Sequence, residues 1–422
     1  MSPSDTTTAQ QAFETISGAE KTPDKAHARN GLRHIASLSM TKVADGLIDP
    51  KLVLAWLLTS LGAPAVYAGA LVPIREAGAL LPQMPLASVV RRTSLRKWIW
   101  VAGSAGQGVA AGLIVLAALS LEGAAAGFAI CAALALLALC RAACSVSYKD
   151  ILGKTVPKSQ RGSVTGLAGS ASAIGVVVFA VLLISGLVQS RGVVIAAIAL
   201  AAILWVVAAL LFSRMEEDPS EKTGATGAGF ALLKEKPELR SFILVRGLLV
   251  STSLAPPYLV VLGGQGAEET LGALGALVLA SAVASFLSSY VWGRFADKSS
   301  KTVLMLTGIL GAASMLSAVA LWAVGLATQV WAMPAVLFVL MIAYHGVRQA
   351  RSTYLVDLAP EDQRAAYAAV SNTVIGSLLL LAGVVGGGAA LIGAQATLVV
   401  FAVMAIAAAG VALRLPEVEE GF

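Results

Sequence analysis

Charged side chains are scarce in this chain: Asp, Glu, Lys and Arg make up 13% of its 422 residues, against roughly a quarter in soluble domains. With a 57% hydrophobic fraction and a mean hydropathy of +0.82, that scarcity excludes an ordinary soluble globular protein. Cysteine is nearly absent as well. Cys131, Cys140 and Cys144 fall in a single apolar stretch, so they offer no disulfide framework and no metal-ligand spacing, and they read as small packing residues. The three histidines, His27, His34 and His345, do not suggest a metal site. Neither a nucleophile elbow nor a paired-histidine zinc motif occurs. Gly153-Lys154-Thr155 imitates the end of a phosphate-binding loop, but Tyr148 stands where the first glycine is required. No cofactor and no metal are expected. A membrane enzyme or receptor, which would need a reactive constellation or a sizeable soluble domain, is a remote alternative.

What is present is a succession of apolar runs, rich in Ala, Leu, Val and Gly, each near the roughly 20 residues needed to cross hydrocarbon as a helix. They recur from the forties to Leu413, which predicts an all-α membrane protein rather than a barrel. The net charge of +6 invites a nucleic-acid reading. The basic residues, however, cluster at the edges of apolar runs, where they orient a protein in the bilayer, so no nucleic-acid partner is expected. Residues 1–32 are polar, lack the apolar core of a signal peptide, and read as a disordered cytosolic tail.

The chain is a duplication. Pro157-Lys-Ser-Gln-Arg161 and Pro360-Glu-Asp-Gln-Arg364 share the pattern Pro-x-x-Gln-Arg, displaced by 360 − 157 = 203 residues. The second half shows six spans, near 241–264, 269–292, 302–325, 329–352, 365–389 and 393–414. Subtracting the offset places six more near 38–61, 66–89, 99–122, 126–149, 162–186 and 190–211. Hydropathy alone would begin the first span at Leu52. The repeat begins it earlier and puts Lys42, Asp45, Asp49 and Lys51 inside the helix. The expected organisation is a tail (1–32), a six-helix bundle (33–213), a cytosolic linker (214–240), a second bundle (241–415) and a short C-terminal tail (416–422). Lys and Arg crowd the even-numbered connections, including Arg91, Arg92, Arg96, Lys97, Lys154 and Arg240, whereas Arg191 is the main base of the odd ones. By the positive-inside rule both termini face the cytosol, across a bacterial-type inner membrane.

Between the eighth and ninth spans runs Gly293-Arg-Phe-Ala-Asp297-Lys298-Ser-Ser-Lys301. Here the chain resembles the major facilitator superfamily, whose loop pattern of Gly, three residues, Asp and then bases is met by Gly293, Asp297, Lys298 and Lys301. The equivalent first-half loop departs from it, with Val90 for the glycine and Ser94 for the acid. The two Pro-x-x-Gln-Arg phrases resemble the family's loops after helices 4 and 10, where an acid precedes the arginine by seven residues; Asp357 meets this for Arg364, and Lys154 does not for Arg161. The resemblance covers residues 33–415. It implies twelve transmembrane helices in two pseudo-symmetric bundles, transport by alternating access, and gating roles for these loop residues. Arg141 resembles the basic residue that many members keep in helix 4 for proton transfer, displaced about two turns toward the loop. The antiporter glycine pattern is half present: Gly166 and Gly175 fit, whereas Phe179 and Ala180 replace a glycine and a proline.

A charge near mid-membrane costs about 2.5–3.5 kcal/mol on insertion scales, so such residues face cavities and take partners. Lys42, Asp45 and Asp49 share one stripe of the first helix, and Lys51 points elsewhere. Arg75 and Glu76 lie at a matching depth of the second helix, which suggests pairing of Arg75 with Asp49 or of Glu76 with Lys51. Arg141 joins them from the fourth helix, and Arg246, His345 and Arg348 are the thinner counterparts in the second half. Two readings stand: a satisfied network that locks helices together, or a carboxylate among Asp45, Asp49 and Glu76 that titrates during transport. Asp49 is the first choice for the latter because Pro50 breaks the backbone beside it. Pro256 and Pro257 predict a similar break in the seventh helix. Tyr67, Gln107, Tyr258, Tyr344 and Asn372 read as interhelical hydrogen-bonding groups. Trp98, Trp100 and Trp331 read as interface belts. The sequence therefore predicts a monomeric secondary transporter of a small polar organic solute, coupled to protons. A proton-independent facilitator and a drug/proton antiporter are the alternatives.

Overall fold

The computed structural model describes residues 8–17, 25–157, 160–185, 190–220, 231–263, 270–296, 298–360 and 363–418. Regular structure among these residues is helical. A chain segment surrounded by hydrocarbon must satisfy its own backbone hydrogen bonds, and an apolar helix does so within itself. Ten stretches among the described residues are long and apolar enough to cross a membrane. Two further passes are each broken into two shorter helices.

The first pass joins α2 (Lys25–Leu47) to α3 (Val53–Ser60) through the expected break at Asp49-Pro50, and a short helix, α1 (Thr8–Ser17), precedes it. The second joins α4 (Ala65–Leu80) to α5 (Gln83–Arg92) across Pro82. Four continuous helices complete the first half: α6 (Lys97–Ser120), α7 (Gly123–Thr155), α8 (Arg161–Ile184) and α9 (Arg191–Ser213). After the short α10 (Ala231–Glu235), the seventh pass is built from α11 (Pro237–Leu248), α12 (Ser251–Leu254) and α13 (Pro256–Gly263), interrupted at the predicted prolines. The second half closes with α14 (Thr270–Ala296), α15 (Ser300–Ala323), α16 (Ala332–Leu358), α17 (Arg364–Ala390) and α18 (Ala394–Ala412). The result is twelve passes in two six-helix bundles. Their outer faces stay apolar, with Phe128, Phe286 and Leu391 exposed, as lipid contact requires.

Packing repeats in the two halves. In the first, α6 packs on α7 and α9, and α4 on α7; in the second, α15 packs on α16 and α18, and α14 on α16. The bundles meet along two long seams, α4 with α17 and α8 with α14, and at the broken passes α3 and α13. On the side away from the termini these seams are tight. A Cβ at Gly275 of α14 would lie 2.7 Å from the Ile184 side chain and 2.9 Å from the Ala180 carbonyl oxygen of α8.

Two expectations are corrected and a third gains detail. The first 32 residues are not uniformly without structure, because α1 docks Phe13 fully buried among Ala28, Leu152, Val156 and Val164. At the start of the expected linker, Met215 is buried and the Ser220 amide donates to the Ser94 carbonyl at 2.9 Å, so residues 215–220 lie against the first bundle. Trp100 does not belong to an interface belt: it is buried and stacks on Phe212 of α9 at 3.9 Å. Trp98 and Trp331 are exposed.

Candidate functional site

Pro50 removes one backbone donor and stops α2, and the chain recovers through the residue beside it. One carboxylate oxygen of Asp49 accepts the Lys51 amide at 2.8 Å and the Leu52 amide at 3.1 Å. Asp49 thus holds the break in its own helix. The break also releases Lys51, whose buried ammonium lies 3.5 Å from the centre of the Tyr344 ring on α16. A cation–π contact of this kind links the two halves.

Asp45, one turn earlier, takes Arg75, the partner predicted for its neighbour, and Arg141 as well. Arg75 of α4 donates to one oxygen at 2.8 Å, and Arg141 of α7 donates to the other. The expected contact of Arg75 with Asp49 is therefore replaced by one with Asp45, which lies on the side of α2 that faces both α4 and α7. Lys42 turns to α8 and donates to the Thr165 carbonyl at 3.3 Å. The contacts of Lys42, Asp45, Arg75 and Arg141 thus link α2 with α4, α7 and α8.

Glu76 follows Arg75 on α4. Among the described residues it makes no ion pair; Lys51, its expected partner, and Arg75 act on it as neighbouring charges. It lines a chamber of about 50 Å³ between the halves, with Arg246 of α11, Thr252 of α12, and Tyr344, Arg348 and Arg351 of α16. Arg246 donates to the Ser371 hydroxyl at 2.9 Å and to the Asn372 carbonyl oxygen at 3.0 Å, so neutral groups hold it and its charge is not cancelled. A second, larger cavity of about 370 Å³ lies between α14 and α16, lined by Ser285, Ser288, His345, Arg348, Gln349 and Arg351. The two cavities share Arg348 and Arg351. Sequence reasoning missed Arg351 and Ser288. The signal for Arg351 was its spacing of three from Arg348, which puts both on one helix face.

The other polar candidates of the sequence are structural. Gln107 donates to the Gly103 carbonyl within α6, and Tyr67 packs over Gly127 of α7. Tyr258 is buried against α4. Cys131 and Cys144 are buried and unpaired with each other.

The loop residues sit at the ends of helices on the termini side. Arg161 donates to the Val156 carbonyl at 3.0 Å and to the Gly153 carbonyl, closing the C-terminal end of α7. Gly293 lies in the last turn of α14 and Lys298 in the exposed turn that follows, whereas Asp297 lies outside the described residues. Lys301 pairs with Glu417 at 3.7 Å. Asp357 ends α16 and Arg364 opens α17. In the first half the acid missing at Ser94 is supplied from the linker. Glu217 accepts the Arg96 and Lys97 amides at 3.1 and 2.7 Å, at the N-terminus of α6, and pairs with Lys154 at 3.3 Å. Asp150 binds Arg96 and Lys154 in the same cluster.

Comparison with known proteins agrees with this architecture. The model of the Major Facilitator Superfamily matches residues 42–266 and 249–421. A search among curated proteins returns no match. Among solved structures, the nucleoside transporter NupG is 13% identical with a TM-score of 0.67, over 91% of this chain and 98% of that one. A D-xylose-proton symporter is 12% identical with a TM-score of 0.67, over 93% and 99%. A POT family transporter in complex with a thioalcohol conjugated peptide is 12% identical with a TM-score of 0.68, over 96% and 98%. At these identities the likeness is one of fold.

Proposed function

Because this chain belongs to the major facilitator superfamily, we propose that it is a proton-coupled secondary transporter that carries a small polar organic solute by alternating access. The two bundles rock about the chamber between them, and the tight α8–α14 seam seals the side away from the termini in the present conformation. The concentration of Lys and Arg in the loops on the termini side supports placing the termini in the cytosol; in a bacterial-type inner membrane this conformation would then be closed to the outside. The bilayer, the solute and the proton are its partners, and one chain contains both halves of the pathway.

Glu76 carries the proposal of proton coupling. A coupling group must change surroundings when the halves move. Asp45 is bridged by arginines of its own bundle, and Asp49 is engaged by its own helix. Glu76 shares a chamber wall with Arg246, Arg348 and Arg351 of the other bundle. Rocking therefore changes its field most, which is the condition for taking up a proton on one side and releasing it on the other. The D-xylose-proton symporter shows that this fold accommodates proton drive.

Proteoliposomes loaded with a pH-sensitive dye and screened with polar metabolites test the reading. The expected result is solute flux accelerated several-fold by an imposed pH gradient, with stoichiometric proton movement, and loss of that acceleration in Glu76→Gln with solute exchange retained. Equal rates with and without the gradient would leave facilitated diffusion instead. Proton movement opposite to the solute would make the protein an antiporter.

A further inference from the structure

The basic groups of the two halves differ in whether they are neutralised. In the first half, Arg75 and Arg141 share the Asp45 carboxylate, and Lys51 rests on an aromatic face. In the second half, Arg246 has only neutral hydrogen-bond partners, and among the described residues Arg348 and Arg351 have neither an ion pair nor a hydrogen bond. Among the described residues, the sole carboxylate on the chamber wall is Glu76. Three guanidiniums thus converge where one carboxylate is available.

Position strengthens the case. Arg348 is exposed, ten residues inside the end of α16 at Leu358, about 15 Å along the axis. A charge at that depth is tolerated where it meets water, and the cavity of about 370 Å³ between α14 and α16 is the space it meets. That volume is at the low end of the roughly 300–1,000 Å³ range of ligand pockets, which suits a small solute. Residues of its walls are polar: Ser285, Ser288, His345 and Gln349 stand beside Arg348 and Arg351. A polar lining of this kind suits a solute with hydroxyl or carboxylate groups. Guanidiniums three residues apart on one helix face present paired N–H forks, the geometry that suits a planar or tetrahedral oxyanion.

Building on the transporter reading above, we infer that Arg348 and Arg351, with Arg246 behind them, form an oxyanion subsite for a small organic solute bearing a carboxylate or phosphate, and that Glu76 competes with this solute for the same guanidiniums. The charged groups around Glu76 are Lys51, Arg75 and Arg141 from its own half and Arg246, Arg348 and Arg351 from the other; α17 presents Ile375 and Leu379. While ionised, Glu76 occupies the field of the arginines. Once protonated, it yields them to a solute in the adjoining cavity, so a proton and an anion bind together. Competition of this kind predicts symport rather than antiport.

Binding to the purified full-length protein tests the inference without requiring transport. The probes are lactate, succinate and inorganic phosphate, with glucose and choline as neutral and cationic controls and phosphatidylglycerol micelles as a lipid source of phosphate, read by thermal shift and by calorimetry. At least one of the three soluble anions should raise the unfolding midpoint by several degrees. The bound anion, or lactate where lactate binds because its charge is constant over this range, should bind about tenfold tighter at pH 6 than at pH 8. Arg348→Gln/Arg351→Gln should abolish the shift, and the Arg348→Lys/Arg351→Lys protein should retain part of it. Glu76→Gln should bind with one affinity at both pH values, whereas His345→Gln should keep the pH dependence. The inference is overturned by a shift with glucose, choline or phosphatidylglycerol but none of the soluble anions, by no shift at all, by anion binding undiminished in the glutamine pair, or by pH dependence that survives Glu76→Gln. Each of these outcomes leaves the flux experiment, and the transporter reading, standing or falling on its own result.

Discussion

Asp45 and Asp49 are separated by one helical turn and have opposite tasks. Asp45 neutralises two guanidiniums from other helices, and Asp49 supplies an acceptor to two amides of its own chain. A substitution to Asn separates them. Asn at 49 retains the side-chain carbonyl that accepts the Lys51 and Leu52 amides, so Asp49→Asn should cost under about 1 kcal/mol and leave gradient-driven transport intact. Asn at 45 leaves two arginines without a counter-charge in a partly buried setting, and Asp45→Asn should lower stability by about 3 kcal/mol, the low end for a broken buried pair because these side chains are 13–32% exposed. The unfolding midpoint of each purified variant decides the matter; equal losses would contradict this division of labour. Proline 50 was readable from the sequence as a break, but which carboxylate served the break and which served the arginines depends on the direction each side chain leaves α2. Spacing places both on one stripe and does not tell them apart.

At the level of elements, the ends of helices are held by segments distant in sequence. The N-terminus of α6 has no side-chain cap from its own flank. Glu217 replaces it, its side chain fully enclosed, and adds a negative charge where the helix dipole is positive. In the second half Ser299 caps α15 and Glu417 reaches Ser299 and Lys301. An acid just after the last helix of each bundle thus returns to the start of that bundle's third helix. Glu217→Ala should lower stability by about 1–2 kcal/mol, through the lost cap and the unpaired Lys154, with no change in the solute concentration giving half-maximal flux. A shifted half-maximal concentration would mean that the strap reaches the chamber. The loss of the loop acid at Ser94 was legible from the repeat. Its replacement was not, since Glu216, Glu217 and Asp218 look alike within a polar linker and only the docked backbone selects one.

For the whole molecule, alternating access requires the α8–α14 seam to open, and its closure depends on the absence of a side chain at Gly275. Gly275→Val should fold, expose the chamber to the side away from the termini and reduce flux at least tenfold, because a closed seam would place the new Cβ within 3 Å of Ile184 and Ala180, with the branched methyl groups adding further bulk. An impermeant thiol reagent acting on Ser253→Cys in a cysteine-free background reads the opening; unchanged labelling would show that the seam tolerates the bulk. The sequence by itself determined the class of protein, the twelve passes, the duplication and the breaks of the first and seventh passes, though not that of the second at Pro82, because these follow from composition, from the length of apolar runs, from prolines and from a repeat of 360 − 157 = 203 residues. It also identified most of the intramembrane charges, since each is conspicuous against an apolar background. Tertiary structure alone decided their partners: that Asp45 holds Arg75 and Arg141, that Lys51 crosses to Tyr344, and that Glu76 faces the arginines of the other half. The physical reason is that helical periodicity fixes a side chain's azimuth only relative to its own axis, whereas pairing depends on how separate helices rotate and cross, which the packing of the two bundles sets.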